Sequence, residues 1–236
     1  MRRIIPGIIV LAMLLASCSA NSDEEAVPPS SSAAPVISEA PSPTASESPT
    51  PAPAALTPMQ AMIKQVSALI DTGEAFDTGS YVPGEIPAGE YAFVGLSSGT
   101  KYWSEKDVSG DILDNENFDT FGYVYVQGTG NVTTRGALVA MSALPTLGVS
   151  GAKELWEILN EEPSGYLGVG MYKIGMDLPA GTYTLSAVNS SRGYGSVLTG
   201  PVGNNDIVDN EIFDGKWQVS VGDGQYLEVS RAEILQ

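Results

Sequence analysis

Ile86-Pro87-Ala88-Gly89-Glu90-Tyr91 recurs as Leu178-Pro179-Ala180-Gly181-Thr182-Tyr183, and the residues downstream of the two copies match as well. Asp111-Ile112-Leu113-Asp114-Asn115-Glu116-Asn117-Phe118-Asp119 corresponds to Asp206-Ile207-Val208-Asp209-Asn210-Glu211-Ile212-Phe213-Asp214. Each acidic run leads to a Val-x-Val pair, Val124/Val126 and Val219/Val221. Self-similarity in a fixed order, at a period of about 90 residues, decides architecture before residue propensity does. The chain is a tandem duplication. In each copy a proline-glycine turn launches a strand in which Tyr91 and Phe93, or Tyr183 and Leu185, alternate with other residues. Gly222-Asp223-Gly224, between the alternating runs 217–221 and 225–229, predicts a hairpin. Short strands and glycine-rich turns imply a mainly β fold: two tandem antiparallel β-sandwich or jelly-roll-like units, each preceded by a short helix.

The helices are read from periodicity. Thr57 suits an N-cap and Pro58 a first helical position, and Met59, Met62, Ile63, Val66, Leu69 and Ile70 recur at three- and four-residue spacing. A second helix is predicted over about 151–160, with Ser150 as cap and Ala152, Leu155, Trp156 and Leu159 on one stripe. The copies then span 58–148 and 149–236.

Upstream, residues 19–57 are rich in Pro, Ser, Thr, Ala and Glu and nearly free of large apolar residues. Such a segment cannot bury enough surface to offset its ordering entropy, so it reads as a disordered tether. Fully extended it reaches on the order of 100 Å. Residues 1–18 carry Arg2-Arg3, an apolar stretch from Ile4 to Ala16, and Leu15-Ala16-Ser17-Cys18. This is a secretory leader, too short to span a bilayer. Its last four residues resemble the lipobox of bacterial lipoproteins, which implies lipidation of Cys18, the only cysteine in the chain. Two or more acyl chains there hold a protein stably on a membrane. The expected location is the extracytoplasmic face of the cell membrane.

The P-A-G-x-Y turn, the D-x-x-D-N-E-x-F-D segment and the stretch Val219-Ser220-Val221-Gly222-Asp223-Gly224-Gln225-Tyr226-Leu227-Glu228-Val229-Ser230-Arg231 together resemble a repeat of uncharacterised bacterial surface lipoproteins, chiefly Gram-positive ones. The first copy departs at its end, where Gln127-Gly128-Thr129-Gly130-Asn131-Val132-Thr133-Thr134-Arg135 lacks the Asp-Gly-Gln-Tyr core. The resemblance implies a β-rich extracellular module and supplies no catalytic residues.

Composition narrows the chemistry. The 236 residues hold 11 Lys and Arg against 28 Asp and Glu, a formal charge of −17, and no histidine. Loss of Arg2 and Arg3 with the leader makes the remainder more acidic still. Nucleic acid is excluded as a partner, because counterion release needs a basic surface. Without histidine, and with one cysteine, there is no transition-metal centre and no Ser-His-Asp or Cys-His unit.

Three sets of residues remain as candidates. Asp111, Asp114, Asn115, Glu116 and Asp119, with Asp206, Asp209, Asn210, Glu211 and Asp214, offer the hard oxygen ligands that Ca²⁺ takes. The competing reading makes Ile112, Leu113 and Phe118 core anchors and Asp-Asn-Glu an exposed turn between them. Tyr102, Trp103 and Tyr194 are aromatics suited to stacking on sugar rings, while Trp217, in an alternating strand, reads as core. Ser150 and Lys153 have the S-x-x-K spacing of penicillin-binding enzymes but lack the companion motifs, so helix capping is favoured. The expected function is a lipid-anchored binding module for a glycan, a cell-wall polymer or a surface protein, without cofactor beyond a possible Ca²⁺. The alternatives are a carboxylate-dependent wall hydrolase and a non-binding envelope spacer.

Overall fold

A computed structural model describes residues 55–96, 99–189 and 192–235. The leader, Cys18 and nearly all of the tether lie outside the described residues. Helix α1 (Pro58–Thr72) starts where the sequence places it. Thr57 Oγ1 accepts from the Gln60 N–H, and Gln60 Oε1 accepts in return from the Thr57 N–H, a complete capping box. Met62, Val66 and Leu69 are buried, whereas Ile63 and Ile70 are exposed, because the helix is covered on one side only.

The first copy supplies β1 (Ala75–Phe76), β2 (Gly79–Tyr81), β3 (Gly89–Val94), β4 (Lys101–Lys106), β5 (Ile112–Phe118), β6 (Phe121–Val126), β7 (Asn131–Thr134) and β8 (Ala137–Ala140). They form two antiparallel sheets, ordered β1-β8-β3-β6 and β2-β7-β4-β5. Helices α2 (Leu144–Leu147) and α3 (Ala152–Leu159) lead to the second copy. It supplies β9 (Gly170–Lys173), β10 (Gly181–Ala187), β11 (Gly193–Leu198), β12 (Ile207–Phe213), β13 (Lys216–Val221), β14 (Tyr226–Ser230) and β15 (Ala232–Leu235). Its sheets are ordered β15-β10-β13 and β9-β14-β11-β12, the first copy's orders except that the edge strand β1 has no counterpart among the described residues. Even the register break recurs, at Glu105/Lys106 and at Val197/Leu198. The protein is therefore mainly β, with two tandem antiparallel sandwiches. Their inner faces meet through Phe93 stacked on Phe118 at 4.4 Å in one, and through Phe213 against Trp217 at 5.9 Å in the other.

The repeated motifs have a common physical basis. In each Pro-Ala-Gly-x-Tyr the tyrosine hydroxyl reaches back to the proline carbonyl, Tyr91 to Pro87 (2.8 Å) and Tyr183 to Pro179 (2.6 Å). One strand earlier, Tyr81 and Tyr172 make the same backward bond to Asp77 and Gly168. The carboxylate before the motif closes the preceding turn, Glu85 accepting from the Val82 N–H and Asp177 from the Lys173 N–H. Each bond satisfies a backbone group that the turn would otherwise leave unpaired.

Gly222-Asp223-Gly224 does not close a hairpin. Strand β13 pairs with β10, and β14 with β11 and β9, so the turn carries the chain from one sheet to the other. The Gly222 N–H in it is satisfied by Gln225 Oε1 at 2.7 Å. The first copy has no such glutamine, and Glu105 takes its place from the neighbouring strand. Its carboxylate accepts from the N–H of Gln127 (2.7 Å), the counterpart of Gly222, and from that of Gly130 (3.3 Å). Glu105 is 1% exposed, and the second copy has Val197 at its position.

The two sandwiches share one core. Helix α3 lies against β3 and β6 of the first copy and β9 of the second, with Phe121 in contact with both Trp156 and Tyr172. Polar bonds cross the same seam: Tyr123 Oη donates to Asp177 (2.6 Å), and Lys173 Nζ (2.6 Å) and Tyr226 Oη (2.5 Å) donate to Glu90. The open edge of β6 is covered from the second copy, where Val202 pairs with Tyr123 and Tyr125 through backbone hydrogen bonds. Ser150 is not the α3 cap; that position is Gly151, and Asp177 accepts from the Lys153 N–H instead. The Ser150 hydroxyl is held by Glu154, so the cap comes from the next turn of chain that packs on the helix end.

Candidate functional site: the acidic edge strands

Both acidic segments are strands rather than turns, and both lie at the end of a sheet, β5 in one copy and β12 in the other. An edge strand tolerates charge along its length, which lets Asp-Asn-Glu remain in extended pairing with β4 or β11. The expected core anchors correspondingly fail in part: Phe118 is buried, but Ile112 is 55% and Leu113 50% exposed. Strand β12 is the more open, every residue except Phe213 being exposed.

In the first copy the carboxylates of Asp114, Glu116 and Asp119 are engaged. Asp114 Oδ1 accepts from the Asn115 N–H and Oδ2 from the Gly203 N–H of the second copy (2.7 Å). Glu116 Oε1 accepts from the Asn117 N–H, and Asp119 Oδ2 from the Ser230 hydroxyl (2.7 Å). Asp111 is exposed, its N–H donating to Asp107. In the second copy Asp206 donates its N–H to Thr199, and Asp214 sits 3.6 Å from Arg192 at the surface. Among the described residues no side chain bonds Asp209, Asn210 or Glu211.

No three acidic side chains among the described residues are grouped to hold a metal ion, so the carboxylates of the ten positions are not gathered into one cluster. Strand geometry is the reason. Neighbours along a strand point to opposite faces, and side chains on one face stand about 7 Å apart, whereas a single Ca²⁺ draws its oxygens to about 2.4 Å.

The aromatic candidates separate in the same way. Trp103 is 0% exposed and cannot stack on a sugar: it points into the first sandwich, opposite Glu116, and Gly203 packs against its ring. An isolated Tyr-Trp pair carries no mark of which residue faces inward. Tyr102 and Tyr194 are half-buried, Tyr194 lying across from Ile212 of β12. Trp217 is half-buried against the core.

Glu228, which the sequence does not single out, faces Glu116 across the seam between the copies. Glu116, Asp119, Glu228 and Ser230 line a cleft of about 70 Å³. Burial, and then the Glu228 charge, push the Glu116 carboxyl up to about 7. Burial also raises Glu228, against the opposing hydrogen bond from Ser196 (2.8 Å). A carboxyl that titrates near neutrality suits general acid chemistry. The volume does not suit a saccharide, since small-molecule pockets start near 300 Å³. Ser150 and Lys153 are likewise occupied, Lys153 Nζ donating to the buried Glu157 at 2.7 Å. The matching acidic strands are the larger exposed feature that both copies share.

No protein-family model matches this chain, and neither a curated protein nor a solved structure does.

Proposed function

We propose that this protein is a lipid-anchored, extracytoplasmic binding protein, held through Cys18 and presenting two fused β-sandwiches on a proline-rich tether. One observation carries the reading: β12, a seven-residue edge strand, is left uncovered by the other described residues, with apolar and acidic side chains exposed together. Burial of Trp103 removes the main aromatic platform for a glycan, which favours a surface protein as the ligand. A second reading, carboxylate-dependent hydrolysis of wall saccharide, has in its favour the near-neutral titration of Glu116 beside Glu228. The small volume of that cleft weighs against it.

The test is crosslinking on intact cells with the full chain, native and Cys18→Ala. A discrete crosslinked partner, detergent-phase partitioning of the native chain, and loss of that partitioning in the variant are expected. Native protein that stays in the aqueous phase, or cells that yield no partner, would refute the reading.

A further inference from the structure

Strand β12 is open in a manner that β5 is not. In β5 the N–H groups of Asn115 and Asn117 bond to the carboxylates of Asp114 and Glu116, so they point off the sheet, away from β4. The same orientation is visible from the other side: Tyr102, opposite Asn117, turns its carbonyl toward the Arg135 N–H beyond β7 (2.7 Å). Strand β12 pairs with β11 in the same register, with Ser196 opposite Asn210 and Tyr194 opposite Ile212. Hence the N–H groups of Asn210 and Ile212 also point off the sheet. Their carboxylate neighbours Asp209 and Glu211 do not fold back on them. At the rim, Arg192 Nη2 reaches the outward Ile212 carbonyl at 3.5 Å.

The side chains of β12 sort by face. Asn210 and Ile212 share one face with Tyr194, while Asp209 and Glu211 share the other with Val197 and Gly195. Ile207, Val208 and Ile212 are 60%, 53% and 49% exposed. A strand laid along this edge would meet carboxylates on one face and apolar surface on the other. A second copy of the chain fits poorly: with Asn210 opposite its own copy, Asp209 faces the Glu211 of the other, and like charges directly opposite are destabilising.

From this edge we infer that β12 binds an extended peptide segment in which basic and apolar residues alternate, by addition of a strand to the sheet. Main-chain bonds to Asn210 and Ile212 supply binding, and Asp209, Glu211 and the apolar face of Ile212 and Tyr194 select the alternation. The inference rests on the surface-binding reading and names the partner's chemistry.

The probe is a labelled, end-blocked peptide of about nine residues alternating Lys and Val, enough to cover one edge strand. Fluorescence anisotropy with the full chain in mild detergent reads binding. An analogue methylated on alternate backbone nitrogens should bind about tenfold more weakly or worse. Asn210→Pro removes one outward donor while sparing the ladder, which only an edge position permits. It should weaken binding about tenfold, whereas Asn115→Pro in β5 should change it less than about twofold. The double variant Asp209→Lys, Glu211→Lys, at exposed positions, should abolish binding and serves should Asn210→Pro fold poorly by circular dichroism. Equal binding of the methylated analogue, equal effects of the two proline variants, undiminished binding by the lysine variant, or no binding by native protein would overturn the inference. So would a dimer by sedimentation that Asn210→Pro dissolves. If Asn210→Pro still gives the native crosslinked partner on cells, the surface-binding reading stands and β12 is not its site.

Discussion

Replacing Glu105 with valine, the residue its counterpart position holds, should destabilise the protein rather than relieve it. Exchange of a buried charge for an apolar residue is often neutral when its partner is exchanged as well. Here the partners are the N–H groups of Gln127 and Gly130, which no side-chain replacement removes. Each bond to a carboxylate contributes about 1.5–3 kcal/mol, the 3.3 Å one at or below the low end, and a stranded donor is costly. The expected loss is about 3 kcal/mol, or roughly 6–12 °C in melting temperature for a chain of this size. Glu105→Gln keeps one acceptor and should lose about half as much. Gln225→Ala breaks a single neutral bond at a half-buried site and should cost about 1 kcal/mol. Differential scanning calorimetry gives the order, and native-state hydrogen exchange should show the Gln127 and Gly130 amides losing protection first. Refutation would be a Glu105→Val protein as stable as native, or one less affected than Gln225→Ala.

One contribution to the pH dependence comes from Glu116, whose proton is held to about 7 in the folded protein against 4.5 for the free group. A raised carboxyl stabilises the fold below about pH 4.5 and loses that contribution as pH rises through 7. Its partial exposure limits the effect to about 1–2 kcal/mol. Glu116→Gln should therefore melt higher than native at about pH 8 and near it at about pH 4.5; a lower melting temperature at the higher pH would show that the charge is not opposed. Tyr91→Phe and Tyr183→Phe each lose one bond to a proline carbonyl and should cost about 1 kcal/mol by urea unfolding, the more buried Tyr91 the larger. Millimolar Ca²⁺ and EDTA should give superimposable melting curves, since the strands spread their carboxylates; a rise of several degrees with Ca²⁺ would contradict the strand argument.

The duplication was legible because Pro-Ala-Gly-x-Tyr and the acidic run recur in order, and strand order turned out to recur with them. Helix α1 was legible through Thr57 and Pro58, whose preferences are local. What failed depended on partners distant in sequence. Gly222-Asp223-Gly224 has hairpin chemistry, but β10 and β11 compete for the two strands it joins. Asp-Asn-Glu has turn chemistry, but pairing to β4 or β11 holds it extended. Trp103 and Tyr102 alternate across a strand, and only the second sheet decides which faces inward. Glu228 becomes notable only because docking of the two copies brings it to Glu116.

That docking is head to tail, and it divides the copies. Among the residues of the first copy whose side chains bond to the second across the seam are Glu90, Asp114, Asp119 and Tyr123. Their counterparts in the second copy are Thr182, Asp209, Asp214 and Gln218, all exposed. A head-to-tail interface left open would extend into a filament if the free surface still matched its complement. Thr182 and Gln218 have lost the carboxylate and the phenol that Lys173, Tyr226 and Asp177 engage, so the free end cannot take another copy in the same way. The acidic run is different: Asp209, Asn210 and Glu211 repeat Asp114, Asn115 and Glu116 without the contacts that occupy the first set. Packing within the chain accounts for the acids of β5 and leaves those of β12 without a role in the fold, which is where a ligand's contribution should be sought.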